Sequence, residues 1–155
     1  MTEQGKSGAA GTRELIAFRI GTQEFCIDIM SIREIRGWTP ATPLPKAPGF
    51  VRGVINLRGT VLPIVDLAVR LGFKPSEPTA RHAIMVSQIG QQVVGLLVEG
   101  VSDIFTVADD DIQPTPDVAS DMAKRFVRGV IAIDGRMISL IELSAVLPAL
   151  EVEAA

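Results

Sequence analysis

Apolar residues fall in short runs separated by Gly, Pro and Asp, a spacing that predicts strands rather than long amphipathic helices. Leu15 to Ile20 and Phe25 to Ile29 are β-type runs flanking Gly21-Thr22-Gln23-Glu24, which predicts a four-residue hairpin loop. Ile84 to Ile89 and Val93 to Val98 form a similar pair around Gly90. Val54 to Leu57 and Val61 to Val65 flank a turn at Arg58-Gly59. Val130 to Ile133 and Met137 to Ile141 flank Asp134-Gly135, a strong two-residue hairpin signal. Leucines four apart, at Leu67 and Leu71 and again at Leu143 and Leu147, predict one short helix after each of these last two pairs. Asp66 is a good N-cap for the first; Glu142 is a poor one for the second.

The runs recur because the chain repeats itself. Phe50-Val51-Arg52-Gly53-Val54-Ile55 returns unchanged as Phe126-Val127-Arg128-Gly129-Val130-Ile131, 76 residues later. Gly59 and Gly135, Asp66 and Glu142, and Leu67 and Leu143 keep that spacing. An earlier block repeats at 69 residues: Gly21 answers Gly90, and Ile32-Arg33-Glu34-Ile35 answers Val101-Ser102-Asp103-Ile104. The second copy therefore carries an insertion, placed between Asp109 and Asp121, where Pro114 and Pro116 lie. Two copies are too few for a solenoid, so duplication of one small β unit is the expectation. The Pro-rich stretch Thr39 to Gly49 must wrap a surface, and Lys74 to Thr79 is the expected joint between copies.

The 155 residues are 47% hydrophobic and 21% charged, with a mean hydropathy of +0.33, so the chain can bury a sizeable core. The net charge of −3 and the absence of Tyr leave no electrostatic or stacking footprint for nucleic acid. One His and one Cys exclude a His/Cys metal cluster and a disulfide framework. No cofactor is expected. Met1 to Thr12 lacks the apolar core of a secretory signal, and the stretch from Ala83 to Val98 is broken by Gln and Gly, so neither export nor membrane insertion is expected. Unpaired Cys26 suits a reducing, cytoplasmic setting.

Few residues then offer chemistry. His82 stands alone and reads as a strand-edge residue, and Cys26, between Phe25 and Ile27, as a buried inert thiol. Asp109-Asp110-Asp111 lacks the alternate spacing of a calcium loop. Asp66 and Glu142 could in principle share a proton as a hydrolytic dyad, but the start of a helix accounts for both. Arg58, at a Leu-Arg-Gly turn, has Asp134 as its counterpart, so duplication did not demand an arginine there. With Glu34 it can form a turn-fixing ion pair, the charged rim of an apolar groove that receives a partner, or both.

Phe18 to Gly21, Phe25 to Ile29, Ile32 to Ile35, Leu44 to Pro48, Val51 to Gly59 and Pro63 to Leu67 resemble the CheW family of bacterial chemotaxis coupling proteins, over essentially Glu14 to Leu150. Glu99 stands where members often carry Asp, which keeps the charge. The resemblance implies a mainly β fold of two SH3-like five-stranded barrels packed on a shared hydrophobic core. Subdomains would span 14–73 and 81–150, joined by a linker at 74–80, with flexible ends at 1–13 and 151–155. It implies no catalysis, and an adaptor bridging the cytoplasmic tip of a chemoreceptor and the regulatory domain of the histidine kinase CheA. The receptor-facing groove would comprise Ile32, Glu34, Ile35, Arg58, Val98 and Val101; the kinase would meet Gly53, Val54, Ile55 and Asn56. Such a protein is cytoplasmic and recruited to membrane-associated receptor arrays. The alternatives are a paralogue serving another receptor–kinase array, a small hydrolase using Asp66 and Glu142, and a small-ligand barrel, for which the few aromatics are a poor lining.

Overall fold

The computed structural model describes residues 11–115 and 125–146. Among these residues, eleven strands and two single-turn helices follow in the order β1 (Thr12–Ile20), β2 (Gln23–Asp28), β3 (Ile32–Gly37), β4 (Val51–Leu57), β5 (Thr60–Asp66), α1 (Leu67–Arg70), β6 (Ala83–Ile89), β7 (Gln92–Val98), β8 (Gly100–Ala108), β9 (Ile112–Gln113), β10 (Val127–Ile133), β11 (Arg136–Ile141) and α2 (Leu143–Val146). The mainly β expectation is met. The expected flexible end at 151–155, Pro116 and Leu147 lie outside the described residues, as does most of the flexible end at 1–13. Thr12 and Arg13, placed in that N-terminal arm, instead begin β1, because they pair with Ala108 and Val107 and Arg13 bonds Asp109 at 2.9 Å.

The first hairpin is tighter than expected. Ile20 faces Gln23, so the loop is Gly21-Thr22, and Gln23 and Glu24 are strand residues. Gly21 has a φ of 63°, and Gly90 opens the matching β6–β7 loop with 62°. Both residues of the β4–β5 loop, Arg58 and Gly59, have positive φ (52° and 88°), as do Asp134 and Gly135 (49° and 75°) in β10–β11. That is the loop geometry that matches the right-handed twist of a hairpin.

The strands form two sheets, β8-β1-β2-β11-β10-β9 and β3-β6-β7-β5-β4. Aligned by the repeat, the orders coincide. In each, the first hairpin of one copy lies between the third strand and the last hairpin of the other. Ile64 sits parallel to Gly95 in the second sheet as Leu140 sits parallel to Cys26 in the first, matching by 76 and 69 residues. Ile35 faces Met85 as Ile104 faces Ile16. The copies have exchanged hairpins: the segment between α1 and β6 divides the sequence repeat, while each sheet draws on both halves. The two-residue β9 gives the first sheet a sixth strand; at the equivalent place in the second, Thr42 makes only an isolated bridge to Val54. This is how the Pro-rich segment wraps the surface.

Exchange places β1, β2, β6 and β7 centrally, with apolar side chains on both faces, which explains their nearly unbroken apolar runs. One face fills a barrel interior: Leu15, Ala17, Cys26, Ile131 and Ile138 in the first sheet, Ile55, Leu62, Ile64, Ile84 and Leu97 in the second. The other face forms the seam, where Ile16, Phe18, Phe25, Met85, Leu96, Val98 and Phe126 share one cluster. Both interiors are filled by side chains, which removes the small-ligand barrel. On the seam Arg70 lies between the equivalent rings of Phe50 and Phe126, at 4.9 and 4.8 Å, and its Nε donates to the Val146 carbonyl at 2.6 Å.

Candidate interaction surface

β3 is an edge strand paired only with β6, and Arg33 bulges from it, with Ile32 facing Ser87 and Glu34 facing Val86. The β4–β5 turn reaches the same place. Arg58 grips Glu34 through two nitrogens, at 2.9 and 3.4 Å, while Arg36 Nη1 reaches the same carboxylate at 3.3 Å. The hydrogen bond from Arg58 holds the Glu34 carboxyl below its ordinary pKa, aided by Arg36. Asn56 Oδ1 accepts from Gly59 N–H at 2.7 Å and fixes the turn. An arginine with positive φ costs about 1 kcal/mol where Asn or Gly would not, and this position points Arg58 at Glu34. The cluster stays open to solvent: side-chain exposure is 67% for Arg58 and 30% for Glu34. Arg36 Nε is buried and finds no acceptor among the described residues. The same elements expose Ile35 and Val61.

The second barrel repeats the arrangement. Asp103, the counterpart of Glu34, follows the β8 bulge at Ser102, and Arg136 of the β10–β11 hairpin bonds it at 3.1 Å and Glu24 at 2.6 Å. That bond lowers the pKa of Glu24 and raises that of Arg136. Exposed Ile104 and Met137 match Ile35 and Val61. Duplication therefore did keep an arginine–carboxylate clamp; the arginine moved two places along the hairpin, which is why comparing Arg58 with Asp134 missed it. Arg36, Arg136, Asp103, Glu24 and the second apolar pair were absent from the expected site, although the 69- and 76-residue spacings point to Asp103, Ile104 and Met137.

Of the expected groove, the structure brings Glu34 and Arg58 into direct contact and exposes Ile35 beside them. Ile32 and Val101, equivalent by the repeat, are half-buried against the seam, and Val98 is buried within it. Of the expected kinase stretch, Gly53 and Ile55 are buried, Val54 is half-buried and Asn56 is exposed. Gly53 lies under the Pro-rich segment, where Thr42 and Val54 exchange hydrogen bonds at 2.8 and 2.9 Å.

The remaining candidates have structural partners. Asp66 caps α1 through Ala68 N–H and accepts from Ser76 N, Ser76 Oγ and Arg52 at 2.9, 2.8 and 3.1 Å. Glu142 pairs instead with Arg128 at 3.4 Å and accepts from Ser144. Each carboxylate has its own cation, so they do not form a proton-sharing dyad. Burial pushes the Cys26 thiol up to about 12, well clear of the nucleophilic range. Asp109–Asp111 form a 3₁₀ turn, in which Asp111 accepts from Ala108 N–H. Among the described residues no His, Cys, Asp and Glu group could hold a metal, and no helix is long and apolar enough to cross a membrane.

Comparison with known proteins places this geometry. A family model described as CheW-like domain matches residues 14–151. The chain is 64% identical over 155 residues to a chemotaxis protein CheW of Rhizobium meliloti (strain 1021), covering 100% of both. It is 34% identical to the chemotaxis protein CheW of Klebsiella aerogenes, covering 91% of this chain and 85% of that one. The crystal structure of scaffolding protein TtCheW from Thermoanaerobacter tengcongensis superposes with a TM-score of 0.81 at 27% identity, covering 90% of this chain and 94% of that one. The chain belongs to the CheW-like family of bacterial chemotaxis scaffolding proteins.

Proposed function

We propose that the protein is a non-enzymatic adaptor that couples the cytoplasmic tip of a chemoreceptor to the regulatory domain of the kinase CheA. It acts in the cytoplasm and is recruited to membrane-associated receptor arrays. The observation that carries this reading is the solvent-open Glu34–Arg58–Arg36 cluster on two elements that also expose Ile35 and Val61. A preorganised charge beside apolar surface sets the register of a docked helix and discriminates among partners. Ile32, Glu34, Ile35, Arg58 and Val101 would face the receptor, with Val98 supporting them from beneath. Gly53 to Asn56 would face the kinase through Val54 and Asn56, held in place by buried Gly53 and Ile55. The second clamp, Arg136 with Asp103 and Glu24, supplies an equivalent face on the other barrel, and an adaptor needs more than one face.

Co-sedimentation with receptor-containing membranes and purified kinase tests the reading. The parent protein should sediment with the membranes. Arg58→Glu, which sets a carboxylate against Glu34, should weaken receptor binding ~10-fold or more while leaving the melting temperature nearly unchanged. A parent protein that binds neither partner would overturn the proposal.

A further inference from the structure

An open cleft of about 730 Å³ lies where the inter-repeat linker meets the β7–β8 corner, lined by residues including Arg19, Thr79, Arg81, His82, Glu99 and Val101. The linker end is fixed there. His82 Nδ1 accepts from Thr79 N–H at 3.0 Å, His82 N–H donates to the Thr79 carbonyl at 3.0 Å, and Arg81 N–H donates to Thr79 Oγ1 at 3.1 Å. With Nδ1 occupied as an acceptor, the proton of the neutral ring is on Nε2, which is left as a donor.

The arginines single this cleft out. The chain has eleven, all among the described residues. Arg13, Arg36, Arg52, Arg58, Arg128 and Arg136 each pair with a carboxylate. Arg33 bonds Gln88, Arg70 bonds a carbonyl between two rings, and Arg125 lies over Phe126. Arg19 and Arg81 alone have a guanidinium with no hydrogen bond, ion pair or ring contact among the described residues, Arg19 feeling Glu24 only at longer range. Both line this cleft, on a protein whose net charge is −3. The acid in the lining, Glu99, accepts from Gly21 N–H at 2.9 Å through Oε2. Two exposed guanidiniums without a partner among the described residues, beside half-buried Val101, are complementary to a carboxylate on a partner that also presents apolar surface.

We propose that Arg19 and Arg81 receive an acidic side chain of the partner protein that docks across Val101. This rests on the adaptor reading above and adds the chemistry that the partner must present. The test is co-sedimentation of the full chain with receptor-containing membranes at low and at moderate salt, comparing the parent, Arg19→Glu/Arg81→Glu, Arg19→Gln/Arg81→Gln, and Lys74→Glu as an exposed cation outside the lining. The Glu pair should bind ~10-fold or more weakly at low salt and lose much of the parent's salt dependence. The Gln pair should fall between, and Lys74→Glu should match the parent. Equal binding and equal salt dependence in the Glu pair, with Arg58→Glu still defective, would overturn the cleft while leaving the adaptor reading intact. A parent that does not bind would overturn both. Inorganic phosphate that raises the melting temperature of the parent but not of the Glu pair, with co-sedimentation unaffected, would assign the cleft to a free anion and also overturn the inference.

Discussion

Gly53 has a φ of 143°, and a Cβ there would lie 2.2 Å from the Thr42 carbonyl oxygen, a backbone atom held in a two-bond bridge. Gly90 has a φ of 62° with nothing within 4 Å of its would-be Cβ. The two glycines therefore separate steric from conformational cost. Gly53→Ala must either break the Thr42–Val54 bridge or bend β4, and should cost about 3 kcal/mol. Gly90→Ala meets only the left-handed backbone penalty of about 1 kcal/mol. Urea unfolding of both variants measures the difference. Comparable losses would mean that the Pro-rich segment yields easily at Thr42. Gly129 faces Gln113 and Ile112 in the same way, at 2.8 and 2.6 Å. The recurring Val-Arg-Gly-Val thus marks where a second segment crosses over the strand.

At the scale of the element, the same motif explains the arginine before each glycine. Arg52 and Arg128 are the extra residues of bulges in β4 and β10, each aimed at the carboxylate that precedes the short helix. The two pairs differ in burial. Asp66 is 1% exposed and meets four donors, whereas the Glu142 side chain is 40% exposed. Asp66→Ala should therefore cost about 2–3 kcal/mol, from a lost cap and buried donors without acceptors, and release Ser76 with the linker. Glu142→Ala should cost less than about 1 kcal/mol. Thermal unfolding checks both, and equal shifts would contradict the assignment. Hairpins and helix starts were legible because each depends on residues within a few positions, such as Asp134-Gly135, Gly90 and Asp66, and the repeat because matching residues recur at fixed spacings of 76 and 69. The clamps were only half legible. Arg58 and Glu34 stand out as charges among apolar neighbours, but Arg136 reaches Asp103 and Glu24 across strands that no local pattern brings together.

What no periodicity could reveal is which copy each hairpin joins, because a hairpin of the same sequence offers the same edge to either set of partners. In this molecule β1–β2 pairs with β8 and β11, and β6–β7 with β3 and β5. Each half lacks the strands that flank its own first hairpin, and Ile16, Phe18, Met85 and Leu96 of the seam come from both halves. The segment between α1 and β6 then acts as a tether, giving one half a local concentration of order mM for the other rather than dividing independent domains. A chain cut between exposed Glu77 and half-buried Pro78 should reassemble when residues 1–77 and 78–155 are expressed together, as a 1:1 complex with the circular dichroism of the uncut protein. An isolated half should have no folded monomer, since the closed form open to it is a dimer whose two copies exchange hairpins as the two halves do here. Sedimentation of each fragment decides. A fragment that is monomeric and unfolds cooperatively would show that a half can close on its own hairpin, and would remove exchange as the reason the duplicated barrels behave as one body.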